Sequence, residues 1–231
     1  MASQSIPSRL RSALVRRIKR RLHASDVIVV SYRDDAHRRD WLASVRSIAS
    51  SKQMMLLPSE ACQLIAAVEA TRRIPGDIAE VGVAYGRSAK LIAQYAPDRE
   101  LHLFDTFDGL PEPLPIDSPQ FKQGDFRSQL EDVQAYLAGS RCHLYRGLFP
   151  ATAGPVENTR FSFVHLDVDL YESTLAGLEF FYPRLSRGGI LISHDYPSAK
   201  GVAAAFEKFL ADKPEVVVEL CGGYQGLMVK L

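Results

Sequence analysis

Gly-Asp-Ile-Ala-Glu-Val-Gly-Val-Ala-Tyr-Gly-Arg-Ser-Ala, residues 76–89, runs from an apolar strand through a glycine turn into a helix. The strand is predicted over Ile78–Val83 and the helix over Arg87–Tyr95. Gly82 and Gly86 permit a tight turn and close backbone approach of a ligand. Ala84 stands where a dinucleotide-binding Gly-x-Gly-x-x-Gly fingerprint needs its second glycine, so the helix that follows need not hold a pyrophosphate.

The same alternation extends outward. Buried strands are predicted at Leu101–Phe104, Cys142–Tyr145, Phe161–Leu166 and Gly189–Ser193. Helices are predicted at Ser128–Ala138, Ser173–Leu185 and Lys200–Ala211, with a short one over Pro150–Glu157. Strands separated by helices imply right-handed crossovers and a parallel sheet covered on both faces. Val216–Leu220 and Gly226–Lys230 are too close for a crossover, so the last strand is expected to run antiparallel. The expected fold is α/β: a Rossmann-like, doubly wound, mostly parallel sheet with a final antiparallel strand and an N-terminal helical extension. Residues 1–57 read as a basic helix and lid, and residues 58–231 as the main domain. Upstream, a strand is expected at Val27–Tyr32 and helices at Asp40–Ser50 and Glu60–Arg72.

Acidic residues end four of these strands. Glu80 lies on the first, Asp105 ends the second, Asp167 and Asp169 follow the fourth, and His194-Asp195 follows the fifth. Carboxylates beside an apolar core are costly unless they bind something, and the carboxyl edge of an open α/β sheet is where ligands sit. Taken singly, Asp105 reads as a turn residue, Asp167 and Asp169 as helix caps, and His165 as a core residue. Their coincidence on one edge points to a site. Asp105, about 20 residues beyond the glycine turn, suits a pair of ribose hydroxyls. A glycine turn without a phosphate cradle plus a ribose-binding acid suggests a nucleoside cofactor without pyrophosphate, and S-adenosylmethionine fits.

Composition excludes several other classes. The 231 residues are 46% hydrophobic and 24% charged, which suits one globular domain with a substantial core. No apolar run approaches the length of a membrane span, and no secretory leader is legible, so a cytoplasmic protein without integral membrane association is expected. Cys62, Cys142 and Cys221 are scattered, without metal-knuckle spacing. Seven of the 28 Lys and Arg lie in residues 1–25, leaving 21 against 27 acids, a body charge of −6. Such a body is a poor partner for nucleic acid. The segment Ser8–His23, with Leu10, Leu14, Ile18 and Leu22 at intervals of four, reads as a basic amphipathic helix. It suits packing on the domain or a partner subunit, or weak contact with a membrane surface.

Five further segments accompany residues 76–89: Leu-Phe-Asp-Thr-Phe-Asp-Gly-Leu-Pro (103–111), Gly-Asp-Phe (124–126), Arg-Gly-Leu-Phe-Pro-Ala-Thr (146–152), His-Leu-Asp-Val-Asp-Leu-Tyr-Glu-Ser-Thr (165–174) and residues 182–196. In this order the chain resembles the macrocin O-methyltransferase family over about residues 54–212. The resemblance implies methylation of a sugar or glycoside hydroxyl by S-adenosylmethionine, in a homo-oligomer. It implies cofactor contacts from Glu80, Gly82, Tyr85, Gly86 and Ser88, with Asp105 and Thr106 at the ribose. Asp125 and Phe126 would lie near the adenine, and Met54 and Met55 in the lid. It further implies a magnesium ion on Asp167, His194 and Asp195, with Asp169 as general base; the N-terminal region and the long insertion Glu112–Gln123, rich in proline and polar residues, are expected to form the acceptor lid. The family carries Asp-Asp-Tyr where this chain has His194-Asp195-Tyr196. Three outcomes stay open: magnesium with water in place of one acid, a metal that accepts imidazole, or loss of the metal with His194 as base. A catechol-type methyltransferase and a catalytically degenerate cofactor-binding module are the alternatives.

Overall fold

The computed structural model describes residues 35–49 and 56–231. The helix expected at Ser8–His23, the strand at Val27–Tyr32, and Met54 and Met55 lie outside the described residues. The chain divides into two compact units, Met1–Asp40 and Trp41–Leu231. Helix α1 (Ala36–Ala49) spans that boundary, and the second unit holds everything that follows.

The second unit contains α2 (Pro58–Ala70), β1 (Asp77–Val81), α3 (Arg87–Tyr95), β2 (Leu101–Asp105), α4 (Leu130–Leu137) and β3 (Cys142–Arg146). It continues with β4 (Phe161–Leu166), α5 (Tyr171–Phe181), β5 (Leu185–His194), α6 (Lys200–Leu210), β6 (Val218–Leu220) and β7 (Gln225–Val229). The seven strands are ordered β3-β2-β1-β4-β5-β7-β6. The first five pair in parallel, and β7 is antiparallel to both β5 and β6, as the short 221–224 connection requires. Strand order reverses between β1 and β4, and the ligand crevice of such sheets lies at that switch. Among the described residues no helix is long and apolar enough to cross a membrane.

Every residue of β4 is buried, as a central parallel strand covered on both faces should be. Phe104, Phe149, Phe161 and Phe181 fill one side of the sheet, with Phe149 and Phe181 stacked at 5.3 Å between ring centroids.

Local differences from the sequence reading have identifiable causes. Only a 3₁₀ turn, Gly154–Val156, forms where a helix over Pro150–Glu157 is expected, because Pro155 lacks the amide that would bond the Ala151 carbonyl. Strand β5 begins four residues early, passing through Gly188 and Gly189 as the pairing with β4 shifts register between Phe161 and Phe163. The 112–123 insertion is pinned to the sheet layer. Buried Asp117 accepts the Tyr171 amide at the start of α5 (2.7 Å) and the Leu114 amide (2.8 Å). The neighbouring Ser118 hydroxyl accepts the Lys200 amide at the start of α6 (3.0 Å). Two helix N-termini thereby find partners, and the insertion acquires a fixed path.

The C-terminal strand is fastened by buried Glu215, which accepts the Tyr182 hydroxyl (2.7 Å), the Lys230 ammonium (2.9 Å) and the Leu231 amide (3.2 Å). Burial alone would raise the Glu215 carboxyl, but these donors lower it to about 2. A depressed folded-state pKa contributes stability above the ordinary glutamate value, and that contribution disappears as pH falls towards 2. Glu215→Gln is therefore expected to cost about 2 kcal/mol at pH 7. Urea denaturation at a series of pH values should show the variant losing less stability than the parent between pH 4.5 and about 2. Equal acid sensitivity would contradict this role.

Candidate active site

The turn after β1 is built around a backbone crossing. The Asp167 amide bonds the Val81 carbonyl (2.9 Å), and the Gly82 amide bonds the Phe104 carbonyl (2.9 Å). With φ of +85°, Gly82 lies so close to β4 that a Cβ would overlap the Asp167 carbonyl. Asp105 fastens the same turn from β2. Its Oδ2 accepts the Val83 and Ala84 amides (2.7 and 2.8 Å), and its Oδ1 accepts the Phe107 amide (2.6 Å). Asp105 is thus a loop organiser first, with one oxygen still able to accept a further donor.

Above these strand ends opens a cavity of about 230 Å³. Gly82, Tyr85 and Ser88 line it from the turn, and Asp105 and Thr106 from the end of β2. Asp125 and Phe126 line it from a small loop pinned by the Leu110–Asp125 and Gly124–Leu110 backbone bonds (both 2.9 Å). Five non-glycine residues among those described have positive φ: Ala84, Phe107, Phe126, Asp169 and Asp195. Four of them line the cavity, so backbone strain is concentrated at this edge of the sheet.

Two expected cofactor residues do not reach the cavity wall. Glu80 is fully buried, because its cross-strand partner in the β1–β4 register is His165, whose Nδ1 meets Glu80 Oε1 at 2.8 Å. Burial raises the Glu80 carboxyl. Gly86 instead forms the left-handed start of α3, packed against Val133.

On the other side of Gly82 the acids converge. Asp167, Asp169, His194 and Asp195 all line the cavity. His194 Nδ1 lies 2.9 Å from Asp195 Oδ2 and 3.2 Å from Asp167 Oδ1. Its Nε2 faces Glu60 Oε2 at 3.5 Å. Burial would lower the affinity of the imidazole for a proton, yet Asp167, Asp195 and Glu60 raise it far above its ordinary value. The three carboxylates thus favour the charged form of the ring. Asp169 is the opposite case. Burial, the charges of Asp167 and Asp195, and a hydrogen bond with Asp195 raise its carboxyl well above the usual range. Such an acid accepts a proton more readily near neutrality than an ordinary carboxylate.

Asp167, His194 and Asp195 each offer one donor atom, all within 4.8 Å of one another. The 2.9 and 3.2 Å separations from Nδ1 resemble the roughly 3 Å between adjacent ligands on a divalent ion with bonds near 2.1 Å. The donor set therefore fits a divalent cation, with the neutral ring as the ligating form.

Glu60 was legible in the sequence only as a helix-start residue. It accepts the Leu57 amide (2.6 Å), as an N-terminal capping glutamate does, but it also accepts the Tyr224 amide from the β6–β7 turn (2.8 Å). No local pattern announces that the last hairpin docks on α2. The only sequence signal is an acid at the head of a mostly apolar helix.

Comparison with known proteins places the chain in a family. A rhamnosyl-tetracenomycin-C 4'-O-methyltransferase from Streptomyces olivaceus is 34% identical over 141 residues, 53% of this chain and 54% of that protein. Mycinamicin III 3''-O-methyltransferase from Micromonospora griseorubida is 30% identical over 142 residues, covering 53% and 56%. The chain thus spans about half the length of these two relatives. The solved O-methyltransferase NovP superposes with a TM-score of 0.68 at 22% identity, covering 77% of this chain and 81% of that one. The calicheamicin methyltransferase CalS11 gives 0.62 at 21% identity, covering 88% and 98%. Both share the seven-stranded methyltransferase fold. The family model for macrocin-O-methyltransferase (TylF) matches residues 7–217, and the chain belongs to that family.

Proposed function

We propose that this protein is an S-adenosylmethionine-dependent O-methyltransferase acting on a hydroxyl of a sugar carried by a natural product. The observation that carries the reading is the meeting of Asp167, Asp169, His194 and Asp195 in one cavity beside the Gly82 turn. Family membership and the sugar-directed activities named for two relatives support it.

In this reading the Gly82–Ser88 turn and the open lone pair of Asp105 receive the nucleoside, and Phe126 offers an apolar face to the base. The donor supplies a methyl group already activated on a cationic sulfur, so the protein's task is alignment and exclusion of water. The negative rim of Asp167 and Asp195 favours that cation. A divalent ion on Asp167, His194 and Asp195 would lower the pKa of an acceptor hydroxyl. Asp169 takes the proton of the acceptor hydroxyl as the hydroxyl oxygen bonds the methyl carbon and the carbon–sulfur bond breaks, releasing S-adenosylhomocysteine. The pinned 112–123 insertion brings Phe121 to the cavity wall and sets one side of the acceptor pocket.

Methyl-labelled S-adenosylmethionine incubated with rhamnosyl polyketides, free sugars and catechols tests this. Label on the glycoside hydroxyl is the expected result. Transfer to catechol alone, or to nothing, would contradict it.

A further inference from the structure

We propose that Glu60 is a positioning residue for His194, and that together they make the Asp167–His194–Asp195 centre select an imidazole-accepting divalent ion over magnesium. The inference rests on the metal-assisted reading above and names the class of ion that site takes.

Glu60 is 1% exposed and held from two sides. The Leu57 amide fixes Oε2 and the Tyr224 amide fixes Oε1. The hairpin tip can press this close because residue 223 is glycine, where a Cβ would lie 2.6 Å from Oε1. Gln63 Nε2 bonds the Cys221 carbonyl (2.9 Å), and the Ser59 hydroxyl bonds the Gly222 carbonyl, so α2 and the tip are tied together around the carboxylate. A helix cap needs only the Leu57 bond. The remaining geometry points Oε2 at His194 Nε2, a buried ring nitrogen with no hydrogen-bond partner at normal distance among the described residues.

A carboxylate facing the far nitrogen of a ligating histidine keeps the ring hydrogen there and leaves the other nitrogen for the metal. Here that other nitrogen, Nδ1, is the one lying between Asp167 and Asp195. Magnesium demands oxygen ligands in near-ideal octahedral array, whereas imidazole suits the later first-row ions. Replacing an oxygen donor by Nδ1, and then clamping the ring with Glu60, biases the centre towards cobalt, nickel or zinc.

Calorimetric titration with Co²⁺ and Mg²⁺, together with the visible absorption of the Co²⁺-loaded protein, tests the proposal. The parent protein should bind Co²⁺ at least about 100-fold more tightly than Mg²⁺. H194D should bring that ratio below about tenfold by losing Co²⁺ affinity and gaining Mg²⁺ affinity. E60Q should weaken Co²⁺ binding by about 10- to 100-fold and shift the visible band, while Mg²⁺ binding in the H194D background stays unchanged on adding E60Q. Should E60Q fail to fold, the parent against H194D decides selectivity and E60D decides positioning. Comparable Co²⁺ and Mg²⁺ affinities in the parent would overturn the selectivity while leaving metal assistance intact. An unchanged band and Co²⁺ affinity in E60Q would overturn the role of Glu60. If neither ion binds and labelled methyl is still transferred, metal assistance itself fails and the proposal with it.

Discussion

Asp169→Asn is expected to lower kcat by about 10³-fold, within the range for loss of a general base. Affinity for S-adenosylhomocysteine should change by less than about twofold, about 0.4 kcal/mol. The amide is isosteric with the carboxylate, so the strained turn after β4 keeps its packing. Only the capacity to take a proton is removed. Single-turnover transfer of labelled methyl, set beside calorimetric titration of the product cofactor, separates the two effects. A loss smaller than tenfold would move the proton to another acceptor. His194, beside Asp167, Asp195 and Glu60, would then be the next residue to substitute.

Gly82→Ala is expected to do more damage than any other single methyl group added to the cavity wall. The residue sits at φ +85°, and its Cβ would occupy the position of the Asp167 carbonyl. Accommodation requires β1 and β4 to part at the strand switch, breaking the Asp167–Val81 bond that sets the distance between the turn and the acids. Left-handed backbone strain and overpacking together should cost about 3 kcal/mol or more. Thermal or urea denaturation would register the loss, and any folded fraction should bind S-adenosylhomocysteine poorly. A variant of parental stability and affinity would show that the close crossing is unimportant. Gly86→Ala provides the contrast, since its added methyl would meet side chains alone, Val133 at 3.1 Å and Leu137 and Tyr136 at 3.7 Å, with the φ of +73° as the main penalty.

What could be read from the chain follows from where the signals are local. Strand β4 and helix α3 appear with the expected bounds because Phe161–Leu166 is a single apolar run and Arg87–Tyr95 carries helical periodicity between a glycine turn and Pro97. The gathering of Asp105, Asp167, Asp169, His194 and Asp195 was also legible, since parallel strands must present their C-terminal ends on one edge. Interactions decided by docking were not. The β1–β4 register that sets Glu80 against His165 could not be read from either segment alone. The three backbone amides that Asp105 accepts could not be read from its position, and they leave one of its oxygens open to a further donor. Asp117 and Ser118 had no signal of their own, and Glu60 none beyond a helix start. Their partners lie on α5, α6 and the β6–β7 turn, each far away in the chain.

Titration of S-adenosylhomocysteine into the protein by calorimetry goes most directly to the claim that this rim is a methyl-donor site. One molecule per chain, with a Kd in about the 1–100 μM range typical of enzyme ligands, is the predicted result, and Gly82→Ala should abolish it. Absence of heat at millimolar ligand, in protein shown to be folded, would contradict it.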